Sequence, residues 1–112
     1  RLDFAGKPGA QVRAVAAGVV TWSGKRWGYG NLVEISHGSG YITRYAHNRA
    51  NLVAVGETVK KNQAVALLGS TCRTTGPHVH FEVVHDGDRV DPLKFVGNPA
   101  QLRVQAGTVL RR

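Results

Sequence analysis

An all-β domain of mainly antiparallel strands is the fold class that this sequence predicts, and three features support it. Short runs of β-branched, aromatic and aliphatic residues recur along the chain, as is typical of strands. Most of the 14 glycines fall between these runs, where turns are needed. No segment keeps the 3.6-residue apolar spacing of an amphipathic helix. At 112 residues, the chain is long enough for one domain with a single modest core.

The predicted strands are apolar runs bounded by glycine or other turn residues. They cover Val12 to Val15, Gly18 to Trp22, Asn31 to His37, Tyr41 to Ala46, Ala64 to Leu68 and His78 to His85. Residues 38–40 (Gly-Ser-Gly) and 86–88 (Asp-Gly-Asp) predict hairpin turns, the second leading into a short strand at residues 89–91. Between the fourth and fifth of these strands, the pattern of residues 51–63 predicts turns and short strands, to which we assign no chemical role.

The end of the chain carries weaker patterns. Asp91 as an N-cap and Pro92 at the first helical position predict one helical turn that reaches Val96. One further strand is predicted from Gln101 to Val104. We therefore divide the chain into a domain over residues 1–97 and a C-terminal tail over residues 98–112.

The composition is basic, with 15 Lys and Arg against 7 acidic residues and a net charge of +8. This charge favours polyanionic partners such as nucleic acid, an anionic lipid surface or a cell-wall polymer. A basic surface without a dedicated partner explains it equally well. The basic residues are scattered and no nucleic-acid-binding motif is present, so we expect no nucleic-acid partner.

No apolar stretch has membrane-spanning length, so we expect neither a transmembrane segment nor a signal peptide within these 112 residues. The chain begins at Arg1 without an initiator methionine, and we expect it to be a piece of a longer protein. Cys72 is the only cysteine, which excludes an internal disulfide framework and a multi-thiolate zinc site. Its position in a polar loop ahead of two histidines leaves a nucleophilic role open.

The run TGPHVHFE at residues 75–82 carries the strongest chemical signal. Histidines two positions apart on a strand project from one face, so one of them can bind a metal while the other lies beside the metal's water. His78 and His80 have this spacing, and Glu82 continues the same face. The apolar residues between them point to the opposite face and anchor the strand in a core. The pattern alone also fits two exposed histidines on a half-buried strand.

A further histidine follows a predicted strand. Strand alternation predicts Thr43, Tyr45 and His47 on one face, with Arg44 and Ala46 on the other. A histidine at the end of such a polar and aromatic strand is a candidate site residue, although a surface histidine fits the same pattern.

Taken together, these motifs make the chain similar to the lysostaphin/LytM-type zinc metallopeptidases, which cut peptide cross-links in bacterial peptidoglycan. The resemblance runs from Leu2 to about Phe95 and is carried by ordered pieces at family-like spacing. They are Asp3-Phe4-Ala5, Gly28-Tyr29-Gly30-Asn31, Tyr45-Ala46-His47, Gly69-Ser70-Thr71, residues 75–82 and Val90-Asp91-Pro92. The resemblance implies an antiparallel β-fold with a groove and the site at one face.

The resemblance also implies roles for single residues. The family motif H-x-G-x-D supplies two zinc ligands, and Asp3 matches its aspartate. The second histidine of the family's H-x-H is the third ligand and matches His80. Its first histidine, here His78, and the histidine of the Tyr-x-His segment, here His47, are catalytic in the family. The first zinc histidine is expected four positions before Asp3, upstream of Arg1, and Arg1 stands where the motif has glycine.

The implied cofactor is one zinc ion, held by two histidines and an aspartate with an open position at which water is activated. His47 and His78 would then orient the water, transfer protons or stabilise the oxyanion. Cys72 stands where the family usually has glycine, so its side chain could alter the loop or approach the metal as a soft ligand.

The implied function is a zinc-dependent peptidoglycan endopeptidase, a metalloprotease of the cell wall. Residues 45–48 and 91–93 look most like Gram-negative members, which cut the D-Ala to meso-diaminopimelate cross-link. Peptidoglycan is then the partner. The expected location is the cell envelope, either the periplasm, with the full-length protein membrane-anchored, or outside the cell as a secreted protein.

The alternative is a LytM-type domain that has lost zinc residues and activates a cell-wall amidase, which would then be its partner. The four candidate residues, Asp3, His47, His78 and His80, are all present in this chain, which favours the enzyme.

Overall fold

The structure is a computed structural model that describes residues 2–5, 9–69, 78–92 and 108–111, with side chains for residues 9–69 and 80–92. Regular structure in these ranges is almost entirely antiparallel β-sheet, which confirms the predicted fold class. The described residues contain no helix of the length and apolarity needed to cross a bilayer.

In the part of the chain that the structure describes, three strands have eight or nine residues and the others have two to six. In chain order they are β1 (Leu2–Ala5), β2 (Gln11–Arg13), β3 (Gly18–Arg26), β4 (Gly30–Gly38), β5 (Tyr41–Ala46), β6 (Ala50–Asn51), β7 (Thr58–Val59), β8 (Ala64–Leu67), β9 (His78–His85), β10 (Asp88–Val90) and β11 (Thr108–Arg111).

Two sheets organise these strands. The larger has the order β11-β1-β9-β5-β4-β3-β7, with β10 also paired to β9, and the smaller has the order β2-β8-β6. On one side, β9 pairs with β1 along its first half and with β10 along its second half. On its other side, β9 pairs with β5 over six residue pairs. The candidate histidine strand is therefore an interior strand of the larger sheet.

Local sequence explains most strand boundaries. The observed bounds of β5 and β9 equal the predicted ones. Both predicted hairpins are present, because β4 pairs with β5 and β9 with β10. In the second hairpin, Asp86 and Gly87 have φ values of 51° and 88°, the left-handed conformation that a two-residue hairpin turn needs. Strand β3 continues to Arg26, four residues beyond the prediction, because its polar end pairs with β4.

The hydrophobic core includes residues from both sheets. Its buried members are Val12, Ala14, Val15, Val20, Val33, Ile35, Tyr45, Val53, Val59, Val65, Ala66, Leu68, Phe81 and Val83. Phe81 and Val83 confirm that the apolar residues of β9 alternate toward the core.

A chain of hydrogen-bonded polar groups runs from this core to the surface. The Val15 N–H donates to the Tyr45 hydroxyl at 3.1 Å, and the hydroxyls of Tyr45 and Thr43 are hydrogen-bonded at 3.0 Å. Thr43 Oγ1 lies 2.7 Å from Nε2 of His37, whose Nδ1 lies 2.7 Å from the carbonyl oxygen of Ala17. Burial raises the pKa of Tyr45 to about 12 and lowers the pKa of His37 below its usual 6.5. Both groups are therefore kept neutral at physiological pH.

Other predicted features fall outside the described residues: the helical turn beyond Pro92, the strand from Gln101 to Val104 and the loop around Cys72. Strand β11 lies within the predicted tail and pairs with β1, a pairing that the sequence did not indicate. The division at residue 97 stays a prediction.

Candidate active site

His80 is the centre of the candidate site. The pairing of β9 places it directly opposite Asp3 of β1 on one side and opposite Ala46 of β5 on the other. Directly opposed residues of an antiparallel pair share one face, with Cβ atoms about 4.5–5.5 Å apart. The backbone register thus brings Asp3 to the same face as His80, whose side chain is buried with 6% exposure.

His47 reaches the same place by a backbone turn. It follows the last residue of β5, Ala46, and has a φ of 62°. Its N–H donates to the carbonyl oxygen of Tyr29 at 2.8 Å. The rings of His47 and His80 lie nearly perpendicular, with their centroids 5.9 Å apart. The structure therefore brings these two predicted site residues together.

The predicted face of His47 was wrong, although its proximity to His80 agrees with the prediction. Strand alternation grouped His47 with Thr43 and Tyr45, and those two side chains face the core. The positive φ ends the alternation and directs His47 to the opposite side, next to His80.

His78 and Asp3 are described only by their backbones. In the register of β1 and β9, Ala5 lies opposite His78 and Asp3 lies opposite His80. The roles of all four candidate residues in catalysis and metal binding stay predictions.

Glu82 is a site residue to which the sequence analysis assigned no role. Its Oε2 lies 2.8 Å from His80 Nε2, and its Oε1 accepts a hydrogen bond from the Tyr29 hydroxyl at 3.0 Å. Two arginines approach the same carboxylate, with Arg44 Nη1 3.6 Å from Oε1 and Arg89 Nη2 3.6 Å from Oε2. Both carboxylate oxygens therefore have partners.

The charge state of Glu82 follows from these contacts. Burial alone raises the pKa of the carboxyl group, but hydrogen bonds from His80 and Tyr29 and electrostatic attraction to His80 and Arg89 outweigh it. Together they hold the pKa of Glu82 at about 2, below its usual 4.5. The group is an ionised acceptor at neutral pH.

A row of alternating charges supports this carboxylate. Glu34, Arg44 and Glu82 are direct cross-strand partners on β4, β5 and β9, so their side chains share one face. Arg44 Nε donates to Glu34 Oε2 at 2.8 Å, and its Nη1 donates to the Tyr29 hydroxyl at 3.4 Å. Arg89 Nη2 donates to the same hydroxyl at 3.2 Å. Tyr29 thus links the row to the site.

The tip of the β3–β4 hairpin forms one wall of the site. Positive φ values at Gly28 (83°) and Gly30 (63°) let the chain reverse on either side of Tyr29. The neighbouring Trp27 is 97% exposed. A cleft of about 340 Å³ lies beneath the tip, lined by Trp27, Gly28, Tyr29, His47, His80, Glu82 and Arg89.

Asn31 and Gly69, which belong to two of the matched sequence pieces, contact the backbone next to His47. The Asn31 amide donates to the carbonyl oxygen of Asn48 at 2.9 Å, and the Asn48 N–H donates back to the carbonyl oxygen of Asn31 at 3.1 Å. At Gly69, a Cβ would lie 2.5 Å from the carbonyl oxygen of His47 and 2.7 Å from the nitrogen of Arg49. Both contacts fix the backbone that carries His47.

The donor chemistry fits a zinc site in part. Imidazole and carboxylate are preferred zinc ligands, and the second ring nitrogen of a zinc-binding histidine is commonly hydrogen-bonded to a carboxylate. His80 Nε2 and Glu82 Oε2, 2.8 Å apart, make a contact of this kind. Among the side chains that the structure describes, no three His, Cys, Asp or Glu groups are gathered to hold a metal ion. Asp3 and His78 lie outside that set.

A signal for the residues that were missed was present in the sequence. Glu82 follows His80 by two positions, so both were expected on one face, and Gly28-Tyr29-Gly30-Asn31 was one of the matched pieces. Arg44 and Arg89 could not be assigned, because only the strand register brings them to Glu82.

Comparison with curated proteins identifies relatives of two kinds. The chain is 44% identical over 92 residues to the DD-carboxypeptidase/endopeptidase Mpg of Neisseria meningitidis, covering 82% of this chain and 21% of that protein. It is 40% identical over 96 residues to the murein hydrolase activator NlpD of Escherichia coli, covering 85% of this chain and 25% of NlpD. The chain thus spans about a fifth to a quarter of the length of these curated relatives.

Solved structures show the same fold. A zinc-containing peptidase from Vibrio cholerae matches with a TM-score of 0.73 and 45% identity, over 80% of this chain and 28% of that one. The catalytic domain of lysostaphin from Staphylococcus simulans matches with a TM-score of 0.77 and 30% identity, over 86% of this chain and 77% of that domain. The sequence pattern of peptidase family M23 matches residues 1–92. In agreement with the lysostaphin/LytM-type resemblance, the chain belongs to peptidase family M23.

Proposed function

We propose that this chain is the catalytic domain of a zinc-dependent endopeptidase that hydrolyses peptidoglycan cross-links between D-Ala and meso-diaminopimelate. The observation that carries the proposal is the meeting of His47 and His80 in one cleft, with Asp3 in register opposite His80. Similarity to the endopeptidase Mpg and to the zinc-containing Vibrio peptidase supports it.

Each candidate residue has a distinct task in this proposal. Asp3 and His80, with a histidine upstream of Arg1, would hold the zinc ion. When bound, zinc supplies a Lewis acid that polarises the scissile carbonyl and activates water. His47 accepts or donates the transferred proton, since an imidazole does both near neutral pH. His78, two positions before His80 on β9, is the second proton carrier or oxyanion donor.

The surface around the cleft suits an anionic peptide polymer. The net charge of +8 attracts the carboxylates of peptidoglycan. Arg89, with a side chain 66% exposed, supplies a cation at the cleft, and the exposed ring of Trp27 supplies an apolar surface beside it. We place the protein in the cell envelope, in the periplasm or outside the cell, where this substrate is found.

A second candidate function is activation of a cell-wall amidase. The 40% identity to the murein hydrolase activator NlpD favours it, because that similarity extends over most of this chain. The two functions differ in their need for the site: an enzyme requires His47 and His80 as chemical groups, whereas an activator requires only a binding surface.

The test is release of muropeptides from purified sacculi by the full-length protein, separated by chromatography and identified by mass. We expect cleavage of D-Ala to meso-diaminopimelate cross-links, its loss when zinc is removed by chelation, and its return when zinc is restored. His47→Ala and His78→Ala should lower turnover by about 10²–10⁴. Cys72→Gly should keep activity, because the proposed chemistry does not use the thiol.

A full-length protein that binds zinc and cuts no cross-link, yet stimulates an amidase on the same sacculi, would refute the enzyme and establish the activator.

A further inference from the structure

We propose that Glu82 is a positioning residue that holds His80 in the single ring orientation and tautomer in which it serves as a metal ligand. This inference rests on the proposed function, because it takes His80 as a zinc ligand. It adds a role for Glu82 and for the groups that surround it.

The hydrogen bond between the two side chains defines where the imidazole proton lies. Glu82 Oε2 and His80 Nε2 are 2.8 Å apart, and both residues are buried, with exposures of 3% and 6%. An ionised carboxylate can only accept hydrogen bonds, so Nε2 must carry a hydrogen. In the neutral imidazole, that leaves the lone pair on Nδ1, the form that a metal ligand needs.

The carboxylate is itself held on both sides. The Tyr29 hydroxyl donates to Oε1, while Arg44 and Arg89 donate to that hydroxyl and lie 3.6 Å from the carboxylate oxygens. The single hydrogen of the hydroxyl points to Glu82 and its lone pairs face the two guanidinium groups. Glu82 therefore cannot turn away from His80 without breaking contacts to all three side chains.

The chain offers a matched control in Glu34. It lies in the same cross-strand row as Glu82, is bonded to the same Arg44 at 2.8 Å, and has a side chain 12% exposed. Its carboxylate is hydrogen-bonded to Arg44 and Thr21 rather than to a histidine. A role that came only from the charge row would be shared by Glu34, whereas a role acting through His80 belongs to Glu82 alone.

The experiment compares Glu82→Ala, Glu82→Gln and Glu34→Gln in the full-length protein. Long-range proton–nitrogen NMR correlations report the tautomer of His80 in the metal-free protein, and competition with a chromophoric chelator gives the zinc affinity. We expect the Nε2–H tautomer in the wild type, and in Glu82→Ala mixed tautomers with zinc binding weakened by about 10–100-fold. Glu82→Gln keeps an acceptor oxygen and should fall between the two. Glu34→Gln should match the wild type in both readouts.

A wild-type His80 that carries its hydrogen on Nδ1, or a Glu82→Ala variant with unchanged tautomer and zinc affinity, overturns the proposal. If Glu82→Ala does not fold, Tyr29→Phe removes one support of the carboxylate without a change of charge. Unchanged zinc affinity in both Tyr29→Phe and Glu82→Gln then overturns it.

The outcomes also separate this inference from the proposed function. Glu82-dependent zinc affinity in a protein that cuts no cross-link refutes the endopeptidase and leaves the positioning role standing. Cross-link cleavage with Glu82-independent zinc affinity refutes the positioning role alone. A full-length protein that binds no zinc refutes both.

Discussion

Replacing His47 by glycine should give a more stable protein than replacing it by alanine. The φ of 62° at His47 is left-handed, which costs a residue with a Cβ about 1–2 kcal/mol and costs glycine almost nothing. The greater conformational freedom of glycine in the unfolded chain lowers the free energy of unfolding by about 0.5–1 kcal/mol and so offsets part of this advantage. Because both variants lack the imidazole, their difference isolates the backbone. The free energy of unfolding of His47→Gly should therefore exceed that of His47→Ala by about 0–1.5 kcal/mol, and the midpoint of about 0.75 kcal/mol corresponds to about 3–6 °C in Tm.

Thermal unfolding followed by circular dichroism measures the difference, and release of muropeptides from sacculi measures function. Ala50 provides the control, because it lies in β6 and is not among the residues with positive φ. Ala50→Gly should lower the free energy of unfolding by about 0.5–1 kcal/mol, so here glycine should be less stable than alanine, the reverse of the order at residue 47. Both His47 variants should lose about 10²–10⁴ in turnover. A His47→Gly protein less stable than His47→Ala would refute the backbone reasoning, and full activity in either variant would refute the chemical role.

Three further predictions concern groups that support the site or the core. Gly69→Ala should destabilise the fold by about 1–3 kcal/mol and lower cross-link cleavage, because the new Cβ would displace the backbone of His47. Tyr45→Phe should cost about 1–3 kcal/mol in urea unfolding, because it leaves the Val15 N–H buried without its acceptor. Stability should fall as the pH drops below 6.5, since burial lowers the pKa of His37 and the unfolded chain then binds the proton more readily than the fold.

A specific result would contradict each of these three predictions. Wild-type activity and Tm in Gly69→Ala would mean that the tight contact with residues 47–49 does not position the site. An unchanged urea midpoint in Tyr45→Phe would show that the buried hydroxyl contributes nothing net. For the pH dependence, urea midpoints are compared between the wild type and His37→Gln. Equal slopes below the usual histidine pKa of 6.5 would exclude His37 as the titrating group.

Strand placement followed from local pattern wherever one face of a strand is buried. The bounds of β5 and β9 were predicted because both segments are rich in β-branched, aromatic and aliphatic residues, of which Tyr45 and Phe81 pack in the core. The polar end of β3 was missed, because Ser23 to Arg26 has no apolar alternation and is ordered by pairing with β4. Where a strand is ordered by pairing with its partner rather than by packing in the core, its hydrophobic pattern does not predict its end.

Several residues of the candidate site could be predicted from the sequence, whereas their arrangement could not. His47 and His80 were identified from residue type and motif, yet the turn that brings His47 across depends on a positive φ that no side-chain pattern encodes. The opposition of Asp3 and His80 comes from the pairing of β1 with β9, which are far apart in sequence. The proposed role of Glu82 depends on contacts from Tyr29 in the β3–β4 turn and from Arg44 on β5, both far from Glu82 in sequence.

The exposed side chain of Trp27, at the tip of the β3–β4 hairpin, is an intrinsic fluorescent probe. The chain has two tryptophans, and Trp27, at 97% exposure, stands in water beside the cleft while Trp22 is 38% exposed. A molecule that covers the cleft would strip water from Trp27 and shift its fluorescence to shorter wavelength. Unfolding, by contrast, changes the surroundings of this ring very little. The emission of Trp27 therefore reports occupancy of the cleft, whereas that of the partly buried Trp22 reports loss of the fold.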